Sequence, residues 1–247
     1  MIDSFNKYIR PFVTCAVAVG SYFLLAFIAI SFIPNVLLST IVSDGLFAVL
    51  LFLYYKYSVH DKKVRYGFSG HLLLFVLLIF VWLFAQITFV YINKNIDGGI
   101  YESYKLLSDS DSWLYVLLSV IVAPITEELL MRGIVFNELK KVFPIGVAYL
   151  LSSLAFAIMH GTIAHLFLSF VSGLLFAIAY EYTGKIISPI IYHSVFNLLS
   201  ILGTGIGLPD ILFEPAIFVT IDVFIIILLG LFAYNLYTKR CERRFFK

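Results

Sequence analysis

Residues 71–91 read HLLLFVLLIFVWLFAQITFVY. Polar and apolar residues do not alternate here, as they would in the segments of about ten residues that build a membrane β-barrel. A continuous apolar run of this length suits a helix, which rises about 1.5 Å per residue and needs about 20 residues to cross a hydrocarbon core. In lipid the backbone must satisfy its own hydrogen bonds, and a helix does so within one segment. Working outward, similar runs fall at about 11–33, 36–57, 112–136, 144–160, 163–182, 186–202 and 216–238. The 247 residues are 62% hydrophobic and only 13% charged. Soluble domains carry about 45–50% apolar and about 25% charged residues. This composition excludes a cytosolic enzyme, a nucleic-acid binder and a disordered chain. The expected fold is all-α: a polytopic membrane helix bundle of about eight transmembrane helices, forming one integral-membrane domain over 1–247.

The N-terminal run continues from Pro11 to Ile33, too long for the apolar core of a cleaved signal peptide, and reads as a retained first helix. Eight crossings put both termini on one side. All Lys and Arg residues except Lys94, Lys105 and Arg132 fall on that side, and the opposite loops carry Asp97, Glu102, Asp109, Asp111, Asp210 and Glu214. The positive-inside rule then predicts a multi-pass cell-membrane protein with cytoplasmic termini. Tyr54, Tyr55, Tyr57, Tyr91, Tyr234 and Tyr237 read as aromatic belts. Cys15 and Cys241 are too few and too far apart for a disulfide framework; Cys241, among basic residues, is a palmitoylation candidate.

Charge at the bilayer centre costs about 2.5–3.5 kcal/mol per residue on insertion scales, so ionisable residues inside the apolar runs carry the information. The fourth run contains APITEELLMRGIVF, residues 123–136. Glu128 and Arg132 stand i, i+4 on one helical face and can pair. Glu127 is turned about 100° away. Pro124 withholds a backbone donor and leaves a bare carbonyl near Val120. The fifth run ends in FAIMH, residues 156–160, with His160 one turn after Phe156. The seventh carries HSVFN, residues 193–197, with His193 and Asn197 again i, i+4. Each motif alone fits helix–helix bonding. Together their most economical use is one polar cavity. There a carboxylate near a histidine activates water, and amide or imidazole donors meet a developing oxyanion.

The order EExxxR, FxxxH, HxxxN on successive helices resembles the CPBP family of intramembrane proteases, also called the CAAX protease and bacteriocin-processing, or Abi, family. The resemblance implies an endopeptidase acting on a membrane-delivered peptide or lipoprotein precursor through a glutamate-activated water. By motif, Glu127 becomes the general base, and His160 helps hold and activate the water. His193 and Asn197 line the oxyanion site, while Glu128 and Arg132 are supporting. The core motifs lie within 124–200. Glu127, His160 and His193 form a chemically sufficient ligand set for a divalent metal such as zinc, although HExxH is absent. The expected partners are a peptide or protein substrate in the membrane and the lipid bilayer, with no nucleic acid.

Depth is a difficulty in this picture. With helix 4 ending near 136, Glu127 stands about 15 Å from its inner end; His160 lies about 24 Å along helix 5 and His193 about 10 Å along helix 7. The three meet only if helices tilt or segment 5 starts deeper. Other readings compete. Gly67-Phe68-Ser69-Gly70 matches the GxSG of rhomboid-type serine proteases but sits beside a basic cluster at a membrane edge. The intramembrane acids could line a proton or ion path, extended by Asp44, Gln86, Glu181 and Asp222. Those four otherwise read as helix–helix bonding or interfacial residues. A non-catalytic bacteriocin immunity protein is the third alternative. His60, His71 and His165 receive no role, nor does the acidic loop 93–111.

Overall fold

The computed structural model describes residues 2–59, 74–76, 78–84, 87–88, 112–160 and 163–206. Among these the chain is helical, with no strand. We label the helices α1 (Ile2–Phe32), α2 (Val36–Ser58), α3 (Leu74–Phe84), α4 (112–142), α5 (Ile145–Ile158), α6 (Ile163–Thr183) and α7 (Ile187–Ile206). By length and composition, four stretches suffice to cross a bilayer: Tyr8–Phe32, Val36–Ser58, Trp113–Val142 and His165–Thr183. The run at 216–238, the Gly67–Gly70 motif, loop 93–111, Gln86, Asp222, His60, His71 and Cys241 lie outside the described residues.

Two apolar cores hold the bundle. In one, Phe47, Leu51 and Tyr55 of α2 pack with Leu130, Met131, Ile134 and Phe136 of α4, and with Phe156, Ala177 and Tyr180. In the other, Leu74, Leu78 and Trp82 of α3 meet Phe176 of α6 and Phe196 of α7. Elsewhere large apolar side chains such as Phe27, Phe32 and Leu202 are exposed, as expected of a surface that faces lipid.

Helix α4 departs from the expectation that a loop follows residue 136. Asn137–Val142, NELKKV, continues the helix. The polarity that reads as a loop is that of a helix end: Lys141 pairs with Glu138 within the last turn, and Lys140 pairs with Glu181 of α6 at 2.7 Å. After Phe143 and Pro144, α5 starts at once. Glu127 and His160 are therefore nearly equidistant along the chain from one tight turn, each about 20 Å up its arm. Phe136 stacks on Tyr149 across this hairpin with centroids 5.1 Å apart. Most of the expected depth mismatch vanishes because α4 is longer than its apolar run.

Helix α7 starts partway up that hairpin. The α6–α7 turn that allows this is itself buried, with Thr183 and Ile186 inside the bundle. Gly184 adopts φ 73°, a left-handed conformation that a residue with a Cβ avoids, and its N–H caps Tyr180 O at 2.8 Å.

α4 is also irregular along its length. It is π-helical at Leu118–Val122 and at Leu129–Phe136, with α-helical turns at Ser112–Leu117, Ala123–Glu128 and Asn137–Val142. In the second stretch, Asn137 Nδ2 donates to the carbonyls of Arg132 (2.8 Å) and Gly133 (3.2 Å) and to the Tyr180 hydroxyl (2.9 Å). Tyr55 is buried, its hydroxyl 3.3 Å from that of Tyr180, and its ring seats where a Cβ on residue 133 would come within 3.2 Å. The aromatic-belt reading of Tyr55 is thus corrected: it is a core residue whose hydroxyl is satisfied internally.

Candidate active site

The first π-helical stretch prepares the site. A π-turn pairs each carbonyl with the N–H five residues on, and for Ser119 that residue is Pro124, which has none. The orphaned Ser119 carbonyl accepts instead from Asn197 Nδ2 of α7 at 2.8 Å. The proline placed in α4 at Ala123–Glu128 thereby ties α7 to α4 about two turns before the glutamate pair. Asn197 sits at this break with one amide hydrogen spent and one remaining.

The glutamates divide as their spacing predicts. Glu128 is fully buried, and its Oε1 accepts from Arg132 Nη1 at 2.8 Å and meets His193 Nδ1 at 2.9 Å. Arg132 Nη2 donates to Gly173 O of α6 at 2.7 Å. The guanidinium lies over the rings of Phe156 (4.9 Å) and Phe176 (5.4 Å). The Phe176 ring stacks on His193 at 4.7 Å, and the Phe156 ring meets His160 edge-on at 4.6 Å. One buried ion pair thus orients an imidazole, and two aromatic faces fix both in place. A substituted Cβ at Gly173 would meet Ser153 at 3.1 Å, so the glycine lets α6 come close enough to offer its carbonyl.

Glu127 points the other way. Its Oε2 lies 4.0 Å from His160 Nε2 and 3.8 Å from His193 Nε2, and this buried oxygen has no hydrogen-bond partner. His160 Nδ1 lies 2.8 Å from Phe156 O, and a carbonyl only accepts. The ion-paired Glu128 carboxylate likewise accepts from His193. Both imidazoles therefore carry hydrogen on Nδ1, and when neutral each presents an Nε2 lone pair to Glu127. Three acceptors converge with no donor among them. A water molecule, with two hydrogens to give, suits this arrangement. The pocket is secluded but not sealed: His160 and Glu127 keep 29% and 17% of their side-chain exposure, against 6% for His193.

The structure thus brings Glu127, His160 and His193 together, sets Glu128 and Arg132 directly behind them, and places Asn197 at the adjacent helix break. Ligands 2.0–2.2 Å from a tetrahedral zinc stand roughly 3.4 Å from one another. The separations to Glu127 are wider, and among the described residues no three His, Cys, Asp or Glu side chains are arranged to hold a metal ion. Gly173 and Phe176 were not legible, since a glycine and a phenylalanine in an apolar helix carry no signal. Of the outlying acids, Glu181 does bond helices, through Lys140. Asp44 is buried against α4, its backbone carbonyl accepting from the Thr126 hydroxyl.

Residues 109–199 match the sequence model of the family described as type II CAAX prenyl endopeptidase Rce1-like. The chain is 36% identical over 89 residues to a Bacillus subtilis protein named "Putative membrane peptidase YdiL", covering 36% of each chain. It is 29% identical over 90 residues to the "Membrane-embedded CAAX protease MroQ" of Staphylococcus aureus, covering 34% of this chain and 36% of that one. The matches therefore span about a third of each relative's length. No solved structure matches the chain significantly.

Proposed function

From the match of residues 109–199 to the type II CAAX prenyl endopeptidase Rce1-like model, we propose that this chain is an intramembrane endopeptidase of the CAAX protease and bacteriocin-processing family. It hydrolyses a peptide bond of a membrane-delivered peptide or lipoprotein precursor. The observation that carries the reading is the convergence of Glu127 Oε2 with the Nε2 atoms of His160 and His193 in a nearly enclosed pocket.

A water held there donates to two of the three acceptors. Glu127 takes one proton as the water oxygen bonds to the scissile carbonyl carbon, with His160 aligning the water. The oxyanion that forms is met by the remaining Asn197 amide hydrogen. His193 can donate from Nε2 only when both its nitrogens carry protons. The C–N bond then breaks, and the proton on Glu127 passes to the leaving nitrogen. Glu128 and Arg132 touch no reacting atom; they hold His193 in orientation and tautomer. Surrounding helices keep bulk water out, which strengthens each of these interactions. By charge distribution the termini are cytoplasmic and residues 1–247 form one membrane domain.

The test uses purified full-length protein in detergent with two probes: a farnesylated CAAX peptide and a proteome-derived peptide library. New termini are read by mass spectrometry. Wild type is expected to cut at defined bonds, and Glu127→Gln and His193→Ala are expected not to. Equal cleavage by all three proteins, or by none, refutes the proposal.

A further inference from the structure

The α1–α2 hairpin lies outside the segment matched to the family, yet it carries an acid toward the site. Asp44 of α2 is only 2% exposed, and its Oδ1 has no hydrogen-bond partner. It is anchored to α4 immediately beside the candidate base. Thr126, the residue before Glu127, shares its hydroxyl hydrogen between the carbonyls of Asp44 and Val122, each at 3.0 Å.

The helix contact at this point is made by the Asp44 backbone, so any residue at position 44 would keep it. The carboxyl adds a desolvation cost with incomplete hydrogen bonding in return. An ionisable group in a membrane span that gives the architecture so little points to function. Resting on the hydrolase reading above, we propose that Asp44 is a positioning residue for Glu127. In this role its carboxyl closes the α2 side of the pocket and orients the catalytic carboxyl and its water.

Burial separates this role from a structural one. If Asp44 only supported the fold, replacing it with leucine would harm stability and activity together. If it serves the site, leucine relieves a buried carboxyl, so the fold holds or gains while turnover drops. Full-length Asp44→Leu, Asp44→Asn and Asp44→Glu would be compared in detergent, with thermal unfolding measured for each. Kinetics would use the farnesylated CAAX peptide or the library peptide that wild type cuts fastest. The expected result is at least a tenfold loss of kcat in Asp44→Leu and Asp44→Asn, with KM within about twofold and the unfolding midpoint unchanged or raised. Asp44→Glu is expected to restore part of the rate. Full turnover in Asp44→Leu overturns the assignment. So does a loss of rate that tracks a lowered midpoint, or failure of both neutral variants to fold. A wild type that cuts neither probe brings down the hydrolase reading and this one with it; an active wild type with an equally active Asp44→Leu brings down only this one.

Discussion

Two groups of ionisable residues gather around the same helix of this protein, α4, and are built on opposite principles. At the C-terminal end of α4, each acid meets a lysine: Glu138 with Lys141 and Tyr54, and Glu181 with Lys140, whose ammonium also lies over the Phe136 ring at 4.5 Å. Around the middle of α4, with Asp44 of α2 beside it, the acids outnumber the cations. Arg132 answers Glu128 through one oxygen, while Glu127 Oε2, Asp44 Oδ1, Glu128 Oε2 and Arg132 Nε are left without a hydrogen-bond partner. A complete pair at a helix end binds elements together. An incomplete one in the interior is expensive, and the proposed hydrolysis would account for its cost.

The comparison can be broken at several points. Glu127→Gln should have the largest effect, lowering kcat by about 10²–10⁴-fold with no loss of thermal stability, because it removes the base and nothing structural. Cleavage kinetics beside an unfolding curve check this, and retained turnover would put Glu127 among the structural acids. Arg132→Leu should come next. It leaves Glu128 buried without its cation, so unfolding in mixed micelles is expected to show a loss of about 3–5 kcal/mol. Lys140→Met keeps the aliphatic packing and removes a partly solvated pair, so stability should change by no more than about 1 kcal/mol and kcat not at all. A larger rate effect there would mean that the two regions are coupled. The smallest effect is expected from a strong chelator, which should leave turnover unchanged in protein assayed for bound zinc. Inactivation reversed by added zinc would show instead that Glu127 and the two imidazoles close on a metal.

Much of the site could be read from the chain, because an ionisable residue inside an apolar run is conspicuous. Glu127, Glu128, Arg132, His160, His193 and Asn197 all stood out this way, and i, i+4 spacing separated the Glu128–Arg132 pair from Glu127. Other parts left no mark. The polar Asn137–Val142 reads as a loop, and only packing against α6 shows it to be helix. Asp44 was visible as an acid, but its side-chain oxygen left without a partner depends on where α2 docks.

The sequence by itself determined the solvent and the secondary structure: a chain 62% hydrophobic, in runs long enough to cross lipid, must hide its backbone polar groups in helices. It also determined which side chains were too costly to be idle. The tertiary structure alone decided how those side chains meet. That outcome turns on the depth at which α7 begins, on where Pro124 forces a carbonyl to seek Asn197, and on which oxygen of each acid is spent. These depend on contacts between segments distant in the chain, to which helical periodicity is blind.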